Sequence, residues 1–139
     1  MKWPKIPTFV IALVVGGALL CALPYLLVGG VLSYEVAKER LSRISFDASA
    51  WQDSAQVFST KPVRIRMVDD LLKRHDLLGM YREQVVALLG EPGPTDYFSD
   101  YDLVYWLGRE RGFFSIDSEW LVVRLDEQGR VVEHRITTD

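Results

Sequence analysis

The stretch that decides the fold is LLGMYREQVVALLGEP, Leu77 to Pro92. Tyr81, Val85, Leu88 and Leu89 recur at i, i+4, i+7 and i+8, one face of an α-helix, while Arg82, Glu83 and Gln84 point to water. Gly90 stands where a helix-closing residue with positive φ is needed, and Pro92 follows where a helix cannot continue. The stretch therefore predicts a turn, a short helix, a cap and a stop.

On either side of it the period of the apolar residues changes. Upstream, between Val63 and Asp76, Ile65, Val68, Leu71 and Leu72 keep helical spacing, with Asp69, Asp70, Lys73 and Arg74 on the wet side. Downstream, Leu103, Tyr105 and Leu107 alternate with their neighbours, as do Leu121, Val123 and Leu125, the period of half-buried strands. DEQG, ending at Gly129, predicts a hairpin turn into a returning strand, RVVEHRITT, and FFSID predicts a further short strand. Connections too short for a crossover helix make the sheet antiparallel. The fold class expected is α+β: an N-terminal transmembrane helix, then a two-layer domain of two short helices packed on a three- to four-stranded antiparallel sheet.

No charged residue occurs from Ile6 to Tyr34. At ~1.5 Å per residue that run exceeds a hydrocarbon core of ~30 Å, and it is about twice a signal peptide's apolar region, so an uncleaved anchor is expected over a cleaved signal. Cys21, the only cysteine, follows Leu19 and Leu20 rather than a small residue, which makes it an apolar residue of the span and no site of lipidation. Lys2 and Lys5 before the span balance Lys38, Arg40 and Arg43 after it, so charge leaves the orientation open. A short tail before the span and a long segment after it resemble a signal anchor, so the C-terminal part is expected on the exported side.

The domains expected are an anchor over 1–34, a helical stalk and linker over 35–62, and the folded domain over 63–139. The linker, SFDASAWQDSAQVFSTKP, is polar with isolated Phe46, Trp51 and Phe58 that can dock on the domain. Beyond the span lie all nineteen acidic residues and fourteen of the sixteen basic ones. An acidic balance of this kind argues against a nucleic-acid interface, and the absence of asparagine excludes N-glycosylation.

Chemistry-bearing residues are sparse. His75 and His134 lie on different elements, no Cys/His cluster offers zinc, and GEPGPTD lacks the lysine of a phosphate loop. Asp100 and Asp102 lack the ligand spacing of a calcium loop, and GRERG, Gly108 to Gly112, reads as a hairpin connection whose arginines have an anionic partner or lipid headgroup as their alternative. Asp117, Glu119 and His134 are the one imaginable acid–base set. Neither a metal nor a small-molecule cofactor is expected, and no catalytic residue.

Aromatic residues are dense where the sheet should be: Tyr97, Phe98, Tyr101, Tyr105, Trp106, Phe113, Phe114 and Trp120. If the helices cover one sheet face, Val104, Trp106, Trp120 and Val122 point the other way and form an apolar patch for a partner, unless the linker around Trp51 and Phe58 covers it.

The residues Gly79, Met80, Val85, Leu89, Gly90 and Pro92, an aromatic-rich strand, and then Leu125, Asp126, Gly129 and Val131 resemble the BamE family of small bacterial envelope proteins, also called SmpA or OmlA. The resemblance covers roughly the last sixty residues. It implies an ααβββ domain in the bacterial cell envelope that binds a protein partner. Two features depart from the family pattern: Tyr81 stands where a capping Thr or Ser is usual, so Asp76 or water is expected to satisfy that helix end, and a helical span replaces the lipidated cysteine. A membrane-tethered, non-catalytic interaction module is the function expected. An inhibitor or immunity-type protein of the same small α+β architecture is the second class, and a membrane-surface enzyme the third.

Overall fold

The computed structural model of the protein describes residues 7–111 and 116–139. The chain divides into two units, Met1–Lys38 and Glu39–Asp139.

The first unit is occupied by helix α1, Thr8–Ser42, which runs four residues past the unit boundary and contains Pro24. It is long and apolar enough to cross a membrane or to serve as a signal sequence. Its leucines and valines from Leu20 to Val36 are exposed. Such a surface finds no stabilising partner in water.

The second unit is α+β. Two short helices, α2 (Ala48–Gln52) and α3 (Ser54–Val57), come first, then α4 (Val63–Arg74) and α5 (Arg82–Leu89), then strands β1 (Leu103–Arg109), β2 (Ser118–Leu125) and β3 (Val131–Thr138). The strands form one antiparallel sheet in the order β1-β2-β3. A fourth strand over FFSID involves Phe113, Phe114 and Ser115, which lie outside the described residues; Ile116 and Asp117 are not in a strand.

The domain begins well before Val63. Asp47 and Asp53 accept hydrogen bonds from the amides of Ala50 (2.8 Å) and Ala55 (2.9 Å), capping α2 and α3 in turn. These helices carry Trp51 (0% exposed) and Val57 (1%) into the interior. Trp51 meets Phe46 edge-on at 5.8 Å, and the Arg64 guanidinium lies 5.4 Å over its ring while Arg64 Nε donates to its carbonyl at 2.9 Å. Residues 44–57 are thus part of the domain rather than a linker: besides the burial of Trp51 and Val57, Ile44 N–H donates to the Arg66 carbonyl at 3.0 Å, Phe46 N–H to Asp70 at 2.7 Å and Gln52 Nε2 to the Leu88 carbonyl at 3.1 Å.

The periodicity of the later helices is confirmed. Val63, Met67, Val68 and Leu71 of α4, and Val85 and Leu89 of α5, join Trp51, Leu77, Leu103, Tyr105, Leu107, Leu121, Val123 and Val131 in one core, with Ile65, Leu72, Leu88, Leu125 and Ile136 packed at its edge. Tyr81 stays 41% exposed.

The opening stretch is tied to the final hairpin. The amide of Gly79 donates to the carbonyl of Val131 (2.8 Å), that of Val131 to Met80 (2.9 Å), and that of Arg82 to Gly129 (2.9 Å). Asp76 does not cap the start of α5: the Gly129 carbonyl takes Arg82 N–H, and the Gln84 side chain takes Tyr81 N–H at 2.8 Å. Asp76 instead accepts from Leu78 N–H.

Two glycines are required where they stand. Gly108 (φ 153°) lies at an irregularity in β1, and a Cβ there would sit 3.2 Å from Ile65 and 3.3 Å from Pro62, so a side chain would crowd α4 and force it back by a few tenths of an ångström. Gly90 (φ 77°, ψ 169°) closes α5 with positive φ, and a Cβ there would sit 3.2 Å from Gln52 Cγ. Gly90→Val is expected to cost about 1–3 kcal/mol from backbone strain and crowding. Gly93→Val, with open space around it and no positive φ, should fall within about 0.5 kcal/mol. Urea titrations of the two variants check this; equal midpoints would contradict it.

Candidate functional site

The four patch residues are brought together. Val104 lies opposite Val122 and Trp106 opposite Trp120, so all four share the sheet face turned away from the main core. That face is not open. Val104 and Trp120 are 8% exposed and Val122 is 0%, because the segment from Tyr97 to Tyr101 folds over them. Tyr97 lies 5.3 Å and Phe98 6.1 Å from the Trp120 ring, and Phe58 stacks on Trp106 at 5.5 Å and 15°. Phe58 is therefore a cover, as the sequence suggested, whereas Trp51 belongs to the other core.

The covering layer is itself a surface. Phe58 is 74% and Tyr97 53% exposed, and Trp106 is half-buried. Phe98 holds φ 54°, a left-handed conformation that costs a bulky residue about 1–2 kcal/mol, and its carbonyl accepts from Tyr101 N–H at 2.9 Å. Burial of its ring against Trp120 offsets that strain. Charged groups rim the layer: Tyr101 O–H donates to Glu133 (3.2 Å), Arg124 pairs with Glu133 (3.1 Å), and the Arg124 and Arg135 guanidinium groups lie 4.6 and 5.3 Å over the Tyr101 ring. The Trp120 Nε1 donor is buried and has no acceptor among the described residues.

The acid–base set is not assembled. Glu119 is held by Arg111, whose Nη2 donates at 2.8 Å and whose backbone amide donates at 2.8 Å. His134 lies opposite Val123, four residues along β2 from Glu119 and thus about 13 Å away at ~3.3 Å per residue. Asp117 is exposed, and its carbonyl accepts from Glu110 N–H. His75 packs edge-on against Phe46 at 5.4 Å. Asp102 accepts from Leu125 N–H (2.7 Å), and Asp100 is a surface carboxylate 3.8 Å from Arg124. Among the described residues no three His, Cys, Asp or Glu side chains converge as metal ligands.

The ionic centre that sequence reading missed is Arg111. Beyond Glu119 it reaches Asp69 at 2.8 Å and Glu39 at 3.7 Å, and Arg43 pairs with Glu39 at 3.1 Å and Asp69 at 3.2 Å. Burial by itself lowers the Arg111 pKa, but the carboxylates of Glu119, Asp69 and Glu39 outweigh it and hold the group above its ordinary value. GRERG therefore supplies more than a connection: its second arginine joins β2, α4 and the start of the domain. No spacing rule links residues 39, 69, 111 and 119, so only the folded chain reveals the cluster.

Comparison of the chain with the models of known protein families, with curated proteins and with solved structures finds no match.

Proposed function

We propose that the chain is a membrane-tethered, non-catalytic module of the bacterial envelope, BamE-like in its C-terminal part, that holds a protein partner on the aromatic face over β1 and β2. In this reading α1 spans the membrane once, the domain lies on the exported side, and the helices and the sheet make a two-layer sandwich.

The observation that carries the proposal is the aromatic layer. Phe58, Tyr97 and Trp106 put large apolar rings at the surface, backed by the buried Trp120, and ringed by Tyr101, Arg124, Glu133 and Arg135. An apolar aromatic centre inside a charged rim with arginine is the composition of binding surfaces. Backbone strain at Phe98 adds to this, because strained residues concentrate in segments that clamp or rearrange. Three of the glycines that carry the likeness to the BamE family, Gly79, Gly90 and Gly129, have φ of 78°, 77° and 76°, values at which a side chain is strained. Two of them lie in the segments that join the opening stretch to the final hairpin.

The test places a photocrosslinking phenylalanine analogue at Phe58 in the full-length chain in its native membrane, with Glu83, exposed on α5, as the control position. A discrete protein adduct at Phe58 that is absent at Glu83 is the expected result. No adduct at Phe58, or the same adducts at both positions, would contradict the proposal. Trp120→Ala does not serve as a binding test, since its burial makes it a folding variant.

A further inference from the structure

We propose that the segment from Tyr97 to Tyr101 is a displaceable cover, and that a protein partner takes its place over Trp120 with an aromatic side chain and a backbone carbonyl. This rests on the reading of the aromatic face as a binding surface and names the chemistry that the surface accepts.

The backbone is tied on either side of this segment and not within it. Before it, the Gly90 carbonyl accepts from the Tyr105 hydroxyl at 2.9 Å. After it, Asp102 N–H donates to the Val123 carbonyl at 3.0 Å, and the Asp102 carboxylate accepts from Leu125 N–H at 2.7 Å. Among the described residues, no backbone N–H or carbonyl from Glu91 to Tyr101 bonds to the rest of the domain. Tyr97 N–H donates to Thr95 Oγ1 at 3.1 Å and Tyr101 N–H to the Phe98 carbonyl at 2.9 Å, both partners being local. Side chains alone hold the cover down. The Tyr101 hydroxyl donates to Glu133 at 3.2 Å, Asp100 stands 3.8 Å from Arg124 at the surface, and the Tyr97 and Phe98 rings rest on Trp120. A segment without backbone ties opens at far less cost than the domain unfolds.

The cover fits its ground imperfectly, in two independent ways. Phe98 reaches Trp120 only at a φ of 54°, which a bulky side chain disfavours, so lifting the segment releases strain. Trp120 is only 8% exposed, yet its buried Nε1 donor finds no acceptor among the described residues. An unpaired buried donor is costly, and a carbonyl arriving from outside would supply the bond that the present cover does not. The floor formed by Val104, Trp120 and Val122 is apolar, so a charged side chain would be desolvated there without a partner. An aromatic side chain replaces the Phe98 ring in kind, and the backbone that carries it brings the carbonyl. Phe98 is then the occupant from within the chain whose place the partner takes.

The test uses the full chain with Cys21→Ser in detergent micelles and one new thiol, Val122→Cys under the cover or Val68→Cys in the main core, both valines being 0% exposed. Methyl methanethiosulfonate should label position 122 at least about a hundredfold faster than position 68, since only the first is reached by local opening. Equal rates would overturn the cover. A second arm adds N-acetylphenylalaninamide, a ring with backbone carbonyls, to Phe98→Gly, in which the ring is gone and the positive φ is free of strain. The Trp120 indole N–H resonance should shift on titration, at a concentration about tenfold or more below that needed in the chain that keeps Phe98, where the covered state competes. No shift in the variant, or an equal shift with N-acetylleucinamide, would overturn the aromatic occupant. Neither arm needs the native partner, so a failed crosslink at Phe58 and a failure here are separate outcomes.

Discussion

Trp51→Ala is expected to destabilise the domain by about 3–5 kcal/mol, the range for removing a fully buried large aromatic. At 0% exposure the indole fills the junction of α2, α4 and the sheet, and its loss also strips the ring from under the Arg64 guanidinium. Arg64 is pushed below its ordinary pKa by burial and is held by the Trp51 and Trp106 carbonyls at 2.9 and 3.5 Å. Against a total stability of about 5–15 kcal/mol for a domain of this kind, the change should lower the melting temperature by roughly 15–30 °C or abolish the cooperative transition. Thermal melts followed by circular dichroism check it. A shift of only a degree or two would return residues 44–57 to the status of a linker.

Arg111→Ala is expected to cost about 3 kcal/mol, for a different reason. Its partner Glu119 has a side chain only 8% exposed, so removing the guanidinium leaves a buried carboxylate whose two charged hydrogen bonds are gone. Replacing both partners together, Arg111→Leu with Glu119→Leu, should recover part of the loss, since the buried Glu119 charge is then gone while the more exposed Asp69 and Glu39 keep Arg43. Chemical denaturation of the single and double variants measures the coupling. A loss below about 0.5 kcal/mol for Arg111→Ala would mean that solvent screens the cluster and that it does not organise the domain.

What the sequence made legible follows from how local each signal is. The faces of α4 and α5, the alternation of β1 and β2, and the final hairpin are written in spacings of two to four residues and are found where those spacings put them, except that Tyr81, counted on the α5 face, precedes the helix and stays exposed. The α2–α3 segment was misread because Trp51 and Val57 are single apolar residues in helices too short to show a period. Its usable signal was the pair Asp47 and Asp53, each opening a run of small helix formers, the pattern of an N-cap. Asp70 caps from a distance: its carboxylate accepts from Phe46 N–H at 2.7 Å, the main reason its pKa lies below the ordinary value. A contact spanning that much chain has no sequence signature.

The candidate site was legible in part. Alternation put Val104, Trp106, Trp120 and Val122 on a common face, which the register confirms. It did not reveal that Tyr97–Tyr101 folds over that face, because the covering turn depends on Phe98 adopting a positive φ that its side chain disfavours. The exposed aromatics of that face are therefore one layer further out, Phe58 and Tyr97 rather than Trp120 and Val122.

The central claim, a domain held on the exported side of a membrane by α1, is tested most directly by labelling. In the full chain with Cys21→Ser and Gln128→Cys, a membrane-impermeant maleimide added to intact spheroplasts should react with the hairpin cysteine as completely as it does after lysis. Reaction only after lysis would put the domain on the cytoplasmic side and contradict the account.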